Sequence, residues 1–135
     1  MYATKVKDLM TKEIVSVSLN DSIEKVAQQM VDNQIGSILV HEDNTLFGII
    51  TKRDILEKVI LTCQDPCEVK ASDVATKKLI TISSEETIRD VLILMHKHKV
   101  KRILVKYPDD DGLAGIITTY DLVAAFNSLE LRSSP

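Results

Sequence analysis

One heptapeptide occurs twice, and that repetition constrains the fold more than any other feature. Gly48-Ile49-Ile50-Thr51-Lys52-Arg53-Asp54 returns as Gly115-Ile116-Ile117-Thr118-Thr119-Tyr120-Asp121. Each copy follows an apolar run, Ile38-Leu39-Val40 or Ile103-Leu104-Val105, and precedes an apolar segment with helical spacing. A glycine, a β-branched pair and then Thr-x-x-Asp predict a strand that passes directly into a helix.

The likeness extends upstream. Asp8, Thr11, Lys12, Ile23, Val26 and Met30 are matched by Asp73, Thr76, Lys77, Ile88, Val91 and Met95, so a whole module is duplicated. Two extra residues enter the second copy near Pro108-Asp109-Asp110-Asp111, a loop where insertion is tolerated. A short polar lead-in comes first in each copy. A strand follows, over 14–18 and again over 79–83. Asp21-Ser22-Ile23-Glu24 reads as a capping box with Asp21 as N-cap, and Ile23, Val26, Ala27, Met30 and Val31 form one apolar helix face. Ile88, Val91, Leu92 and Met95 repeat that face, which Ile93 and Leu94 broaden.

A hairpin is predicted from strands at 37–41 and 47–51 around Glu42-Asp43-Asn44-Thr45, and a second around Pro108 to Gly112. The last helix runs from Lys52 or Arg53 to about Leu61, and from Tyr120 to about Leu131. Ile55, Leu56, Val59, Ile60 and Leu61 cover most of their helix, which predicts burial on more than one side. The order is β-α-β-β-α, twice, an α+β fold. One such module of roughly 55 residues cannot bury its sheet alone. The expectation is a pseudo-two-fold intramolecular pair with clefts where the halves meet. The repeats are assigned to 1–61 and 71–131, with 62–70 as linker and 132–135 as tail.

Composition narrows the function. The 135 residues are 44% hydrophobic and 27% charged with a net charge of −3, so no basic field invites nucleic acid. The run Lys97-His98-Lys99-Val100-Lys101-Arg102 reads as a solvated helix end whose charge suits the C-terminal dipole. No apolar run nears the roughly 20 residues of a membrane span. The N-terminal residues lack the apolar core of a signal peptide, and a cytoplasmic protein without a membrane partner is expected.

Cys63 and Cys67 stand alone in a C-x-x-x-C spacing with no second ligand pair, and they read as free thiols. His96 and His98 point to different faces of a helix, and Asp109-Asp110-Asp111 reads as a solvated turn, so no metal is expected. No nucleophile elbow, phosphate-binding glycine loop or H-E-x-x-H motif occurs, and no catalysis is expected.

Thr51-x-x-Asp54 and Thr118-x-x-Asp121 carry two readings. As structure, each is a helix cap with an acidic residue three positions on. As chemistry, the helix start offers N–H groups to a phosphate beside Thr51 or Thr118, and the aspartate can accept from both hydroxyls of a ribose. The apolar stretches at 14–17 and 79–82 would give slots for a flat base. Lys101 and Arg102 precede a strand and can reach phosphates.

These residues, with Gly36-Ser37-Ile38-Leu39-Val40 and Lys101-Arg102-Ile103-Leu104-Val105, resemble the cystathionine-β-synthase (CBS) domain family. Residues 6–56 and 71–123 are similar to two tandem CBS motifs, an arrangement often called a Bateman module. The resemblance implies a non-catalytic regulator that binds AMP, ADP, ATP or S-adenosylmethionine in two clefts, each mixing the halves. It implies one cleft with Thr51, Arg53, Asp54, Thr76, Leu79, Ile80, Lys101, Arg102 and Ile103. The other would use Met10, Ile14, Val15, Gly36, Ser37, Ile38, Thr118, Tyr120 and Asp121. With Lys52 and Arg53 beside Lys101 and Arg102, the first cleft is expected to take more phosphates than the second, which has Thr119, Tyr120 and Ser37. The resemblance also implies a homodimer formed through the apolar helices and a target protein on another chain. Two rival readings stand beside it: an interaction module without ligand, and a nucleic-acid-binding accessory protein.

Overall fold

Strand β1 (Ser16–Ser18) pairs in parallel with β2 (Ser37–Glu42), and β2 pairs antiparallel with β3 (Thr45–Thr51). Strands β4 (Thr81–Ser83), β5 (Arg102–Lys106) and β6 (Leu113–Thr118) repeat that pattern in a second three-stranded sheet. Parallel neighbours need a crossover, and the helices α2 (Ile23–Asn33) and α5 (Ile88–His98) provide it. The computed structural model describes residues 3–77, 79–109 and 112–133. Two short helices lead into the repeats, α1 (Val6–Leu9) and α4 (Ala71–Val74). Helices α3 (Lys52–Ile55) and α6 (Thr119–Ser133) close them, and α3 continues as a π-helical stretch over Leu56–Ile60. The fold is mixed α+β, as the duplicated grammar predicts.

The chain divides into two compact units, Ile14–Leu79 and Met1–Glu13 with Ile80–Pro135. These units are offset from the sequence repeats. In the first, Val69, Ala71 and Val74 are buried with Val17, Ile23, Val26, Met30, Ile38, Val40, Ile50 and Val59. In the second, Val6 is buried with Ile82, Ile88, Val91, Met95, Ile103, Val105, Ala114, Ile117 and Leu122. Each sheet thus takes its lead-in from the other repeat. The reason is an unpaired strand edge. Ile49 of β3 exchanges both backbone hydrogen bonds with Thr76, at 3.1 and 2.9 Å, and Ile116 of β6 does the same with Thr11, at 3.0 and 2.8 Å. The stretch expected as a linker also carries structure, since Val69 is buried and Ser22 bridges Lys70.

Local differences from the sequence reading have physical causes. The cap of α2 is Ser22, whose hydroxyl accepts from the Lys25 N–H at 3.2 Å. Asp21 instead accepts from the Ser18 N–H at 2.9 Å and from Lys25 Nζ at 3.2 Å, which fixes the turn before the helix. The buried face of α2 is Ile23, Val26 and Met30, and Val31 is 71% exposed. The first strands begin at Ser16 and Thr81 and not at 14 and 79. Val15 and Ile80 still accept one sheet bond each through their carbonyls, from Leu39 and Leu104. The first hairpin turns within Asp43-Asn44, with Asp43 at φ 54. Asp110 and Asp111 of the second turn lie outside the described residues. The α3 end buries Val59, whereas Leu56, Ile60 and Leu61 are exposed, so burial on several sides does not hold within one chain. Helix α6 runs through Ser133 into the stretch expected as tail.

Both crossover helices end alike. Gln34 and Lys99 adopt φ 54, and the following Ile35 and Val100 return their N–H groups to the carbonyls of Met30 and Met95. Each is a Schellman-type stop made without glycine.

Candidate functional site

The two Thr-x-x-Asp junctions sit where β3 runs into α3 and where β6 runs into α6. Thr51, at φ −109 and ψ 163, leaves the strand and caps the helix. Its hydroxyl oxygen accepts from the Asp54 N–H at 3.1 Å. Oδ2 of Asp54 accepts from the Thr51 N–H at 2.9 Å and from the Thr51 hydroxyl at 3.0 Å. Thr118 and Asp121 form the same box, at 3.3, 3.0 and 3.2 Å. The structural reading of the motif is therefore correct, and it uses only one carboxylate oxygen of each aspartate.

The second oxygens differ. Oδ1 of Asp54 lies 3.4 Å from Lys58 Nζ, which also donates to the Val74 carbonyl at 2.9 Å. Oδ1 of Asp121 accepts from the Thr11 hydroxyl at 3.0 Å. Neither Lys58 nor Thr11 belongs to the site inferred from sequence. Lys58 was legible as an i,i+4 partner of Asp54. Thr11 was legible only through its match to Thr76, the residue that pairs with Ile49.

Close backbone approach explains the glycine that opens each heptapeptide. A Cβ on Gly48 would stand 2.7 Å from the Thr76 carbonyl oxygen, and one on Gly115 would stand 2.6 Å from that of Thr11 and 3.0 Å from Met10 Sδ. Gly36 has room, its nearest neighbours being Lys52 side-chain carbons at 3.9 Å. The lead-in is held further upstream by Lys5 and Lys7, both on Glu85 at 2.7 and 2.9 Å. Hydrogen bonds from Lys5 and Lys7 hold the Glu85 carboxyl below its usual value of 4.5.

The remaining expected site residues fall as follows. Thr51, Arg53, Asp54, Thr76 and Leu79 of the first set belong to the unit Ile14–Leu79, and Ile80, Lys101, Arg102 and Ile103 to the other. Of the second set, Met10, Thr118, Tyr120 and Asp121 share a unit, and Ile14, Val15, Gly36, Ser37 and Ile38 belong to its counterpart. Within the units, register sets Ser37 opposite Thr51 and Arg102 opposite Thr118. The Lys52 N–H bonds the Gly36 carbonyl, and the Thr119 N–H bonds the Lys101 carbonyl, each at 3.0 Å.

Ile38 and Ile103 are core residues, each 1% exposed. Ile14, Val15, Leu79 and Ile80 are half-buried before their strands, and Tyr120 is 79% exposed. Arg53, expected to serve a phosphate, is ion-paired with Glu57 on its own helix. Among the described residues no three or more His, Cys, Asp or Glu are grouped to hold a metal ion, and no helix is long and apolar enough to cross a membrane.

The CBS domain family profile matches residues 6–61 and 71–128, and the chain belongs to that family as a tandem CBS protein. The Bacillus subtilis protein YlbB is 36% identical over 121 residues, which cover 88% of this chain and 80% of YlbB. The Methanocaldococcus jannaschii protein MJ0450 is 31% identical over 118 residues, 85% of this chain but only 62% of that longer protein. A crystal structure of a conserved Pyrococcus horikoshii protein superimposes with a TM-score of 0.85 at 28% identity, covering 93% of this chain and 94% of that one.

Proposed function

We propose that this chain is a non-catalytic sensor of adenosine compounds (AMP, ADP, ATP or S-adenosylmethionine) that signals to a partner protein. The observation that carries the reading is the second oxygen of each junction aspartate. Capping a helix needs one oxygen of Asp54 or Asp121, and both repeats keep the other outside the box. A ribose diol donating to Oδ1 is the recognition that such a carboxylate serves in dinucleotide folds. Thr51 and Thr118 stand beside the ribose, each at its own junction. Family membership supports a ligand-binding regulatory role. Isothermal titration of the purified protein with AMP, ADP, ATP, S-adenosylmethionine and GTP tests it. Micromolar binding of an adenosine compound is expected, and no binding by any of them would sink the reading.

A second element of the proposal is self-association. Leu56, Ile60 and Leu61, with Ile93, Val123 and Phe126, are exposed apolar side chains on helices. A homodimer that covers them is expected in solution. Sedimentation of the wild type and of Leu56→Glu/Leu61→Glu checks this. A wild-type monomer, or a variant that dimerises as well as wild type, would count against it.

A further inference from the structure

The duplicated junctions carry unequal charge, and one of the differences lies against the second oxygen of the aspartate. Lys58 follows Asp54 by one helical turn, whereas the corresponding residue after Asp121 is Ala125. Lys58 Nζ is held from two sides, by Asp54 Oδ1 at 3.4 Å and by the Val74 carbonyl at 2.9 Å. Arg53, the other cation on this helix within reach of a carboxylate, is engaged by Glu57 and turned to solvent. Lys52 runs its aliphatic stem past Gly36. Lys58 is therefore the cation that neutralises Asp54.

We propose that Lys58 determines the charge of the ligand accepted at the Asp54 junction, favouring phosphorylated adenosine over the uncharged nucleoside. The inference rests on the reading that Asp54 takes the ribose. Phosphates on that ribose lie within a Debye length, about 8–10 Å, of the Asp54 carboxylate. An unpaired carboxylate repels them, and repulsion grows with each added phosphate. With Lys58 in place the Asp54–Lys58 pair is neutral. A carboxylate oxygen has two lone pairs, so the ammonium and a ribose hydroxyl can share Oδ1. The neutralisation therefore persists in the bound state. Lys58 is a positioning and selectivity residue acting through Asp54, with no contact to the ligand required.

Calorimetric titration with adenosine, AMP, ADP and ATP at low salt tests this, in an Asp121→Ala background so that one junction reports. Lys58→Met is expected to weaken ATP about tenfold and AMP about threefold while leaving adenosine within error, and Lys58→Arg restores the ranking. An equal loss for all four compounds would make Lys58 a prop for the Val74 carbonyl and overturn the inference. So would an unchanged ranking in Lys58→Met when Asp54→Ala abolishes binding. If the parent background binds none of the four and wild type binds only through Asp121, the Asp54 site and this inference both fail.

Discussion

The Thr11 hydroxyl donates to Oδ1 of Asp121 at 3.0 Å, joining the N-terminal lead-in to the start of α6 by a side chain as well as by backbone. Removing a hydrogen bond to a charged group costs about 0.5–1.5 kcal/mol when the site is partly solvated. Thr11→Val is expected to lower the stability of the unit containing α6 by that amount, and Thr11→Ser to recover most of it. Urea unfolding of the three proteins measures both.

Gly48 and Gly115 are expected to be intolerant of a single methyl. Alanine at either would press on a carbonyl oxygen at 2.7 or 2.6 Å and force the paired lead-in outward, at about 1–3 kcal/mol. Gly36→Ala, where the contact would be ordinary, serves as the control. Equal stabilities for Gly36→Ala and Gly48→Ala would contradict the packing described here.

Acid should loosen the lead-in through Glu85. Its folded carboxyl titrates below its usual value of 4.5 because Lys5 and Lys7 donate to it. The contribution is present above the unfolded value and is lost as pH falls through the folded one. Protection of the Val6 and Lys7 amides, measured relative to intrinsic exchange at each pH, is expected to fall below pH of about 4.5 in wild type, and Glu85→Gln to show the lower protection already at neutral pH. Added salt should shrink the difference, since all three side chains are solvent-exposed.

Two helix stops offer a gain. Gln34 and Lys99 occupy the left-handed region at φ 54, which favours glycine. Gln34→Gly or Lys99→Gly is expected to stabilise by about 0.5–1 kcal/mol, less any entropy the more flexible unfolded chain gains. Thermal melts decide the sign.

The order of elements was legible because periodicity and duplication report local structure, which each repeat builds from its own residues. The exchange of lead-ins was not. Val6 and Val74 are short apolar residues with no periodic context, and only the open edges of β6 and β3 decide where 3–13 and 69–77 pair. Register errors were small but informative. Asp21 and Ser22 both suit an N-cap, and Asp21 goes to the preceding turn because the Ser18 N–H needs an acceptor. Val31 fits the helical stripe yet sits at its margin, beyond the reach of the sheet. At the site, the Thr-x-x-Asp box was readable from spacing alone. Its partners were less evident: Thr11 arrives from the other repeat, and Lys58 is marked only by its i,i+4 spacing from Asp54.

Ribose recognition by the junction aspartates is tested most directly by comparing Asp54→Ala, Asp121→Ala and wild type in calorimetric titration against the adenosine compounds. Loss of a charge-assisted hydrogen bond to ribose is expected to weaken binding by about 1–3 kcal/mol in one or both variants, with the fold intact by circular dichroism. Wild-type affinity retained in both variants would contradict ribose recognition by these carboxylates, leaving the two junctions as helix caps only.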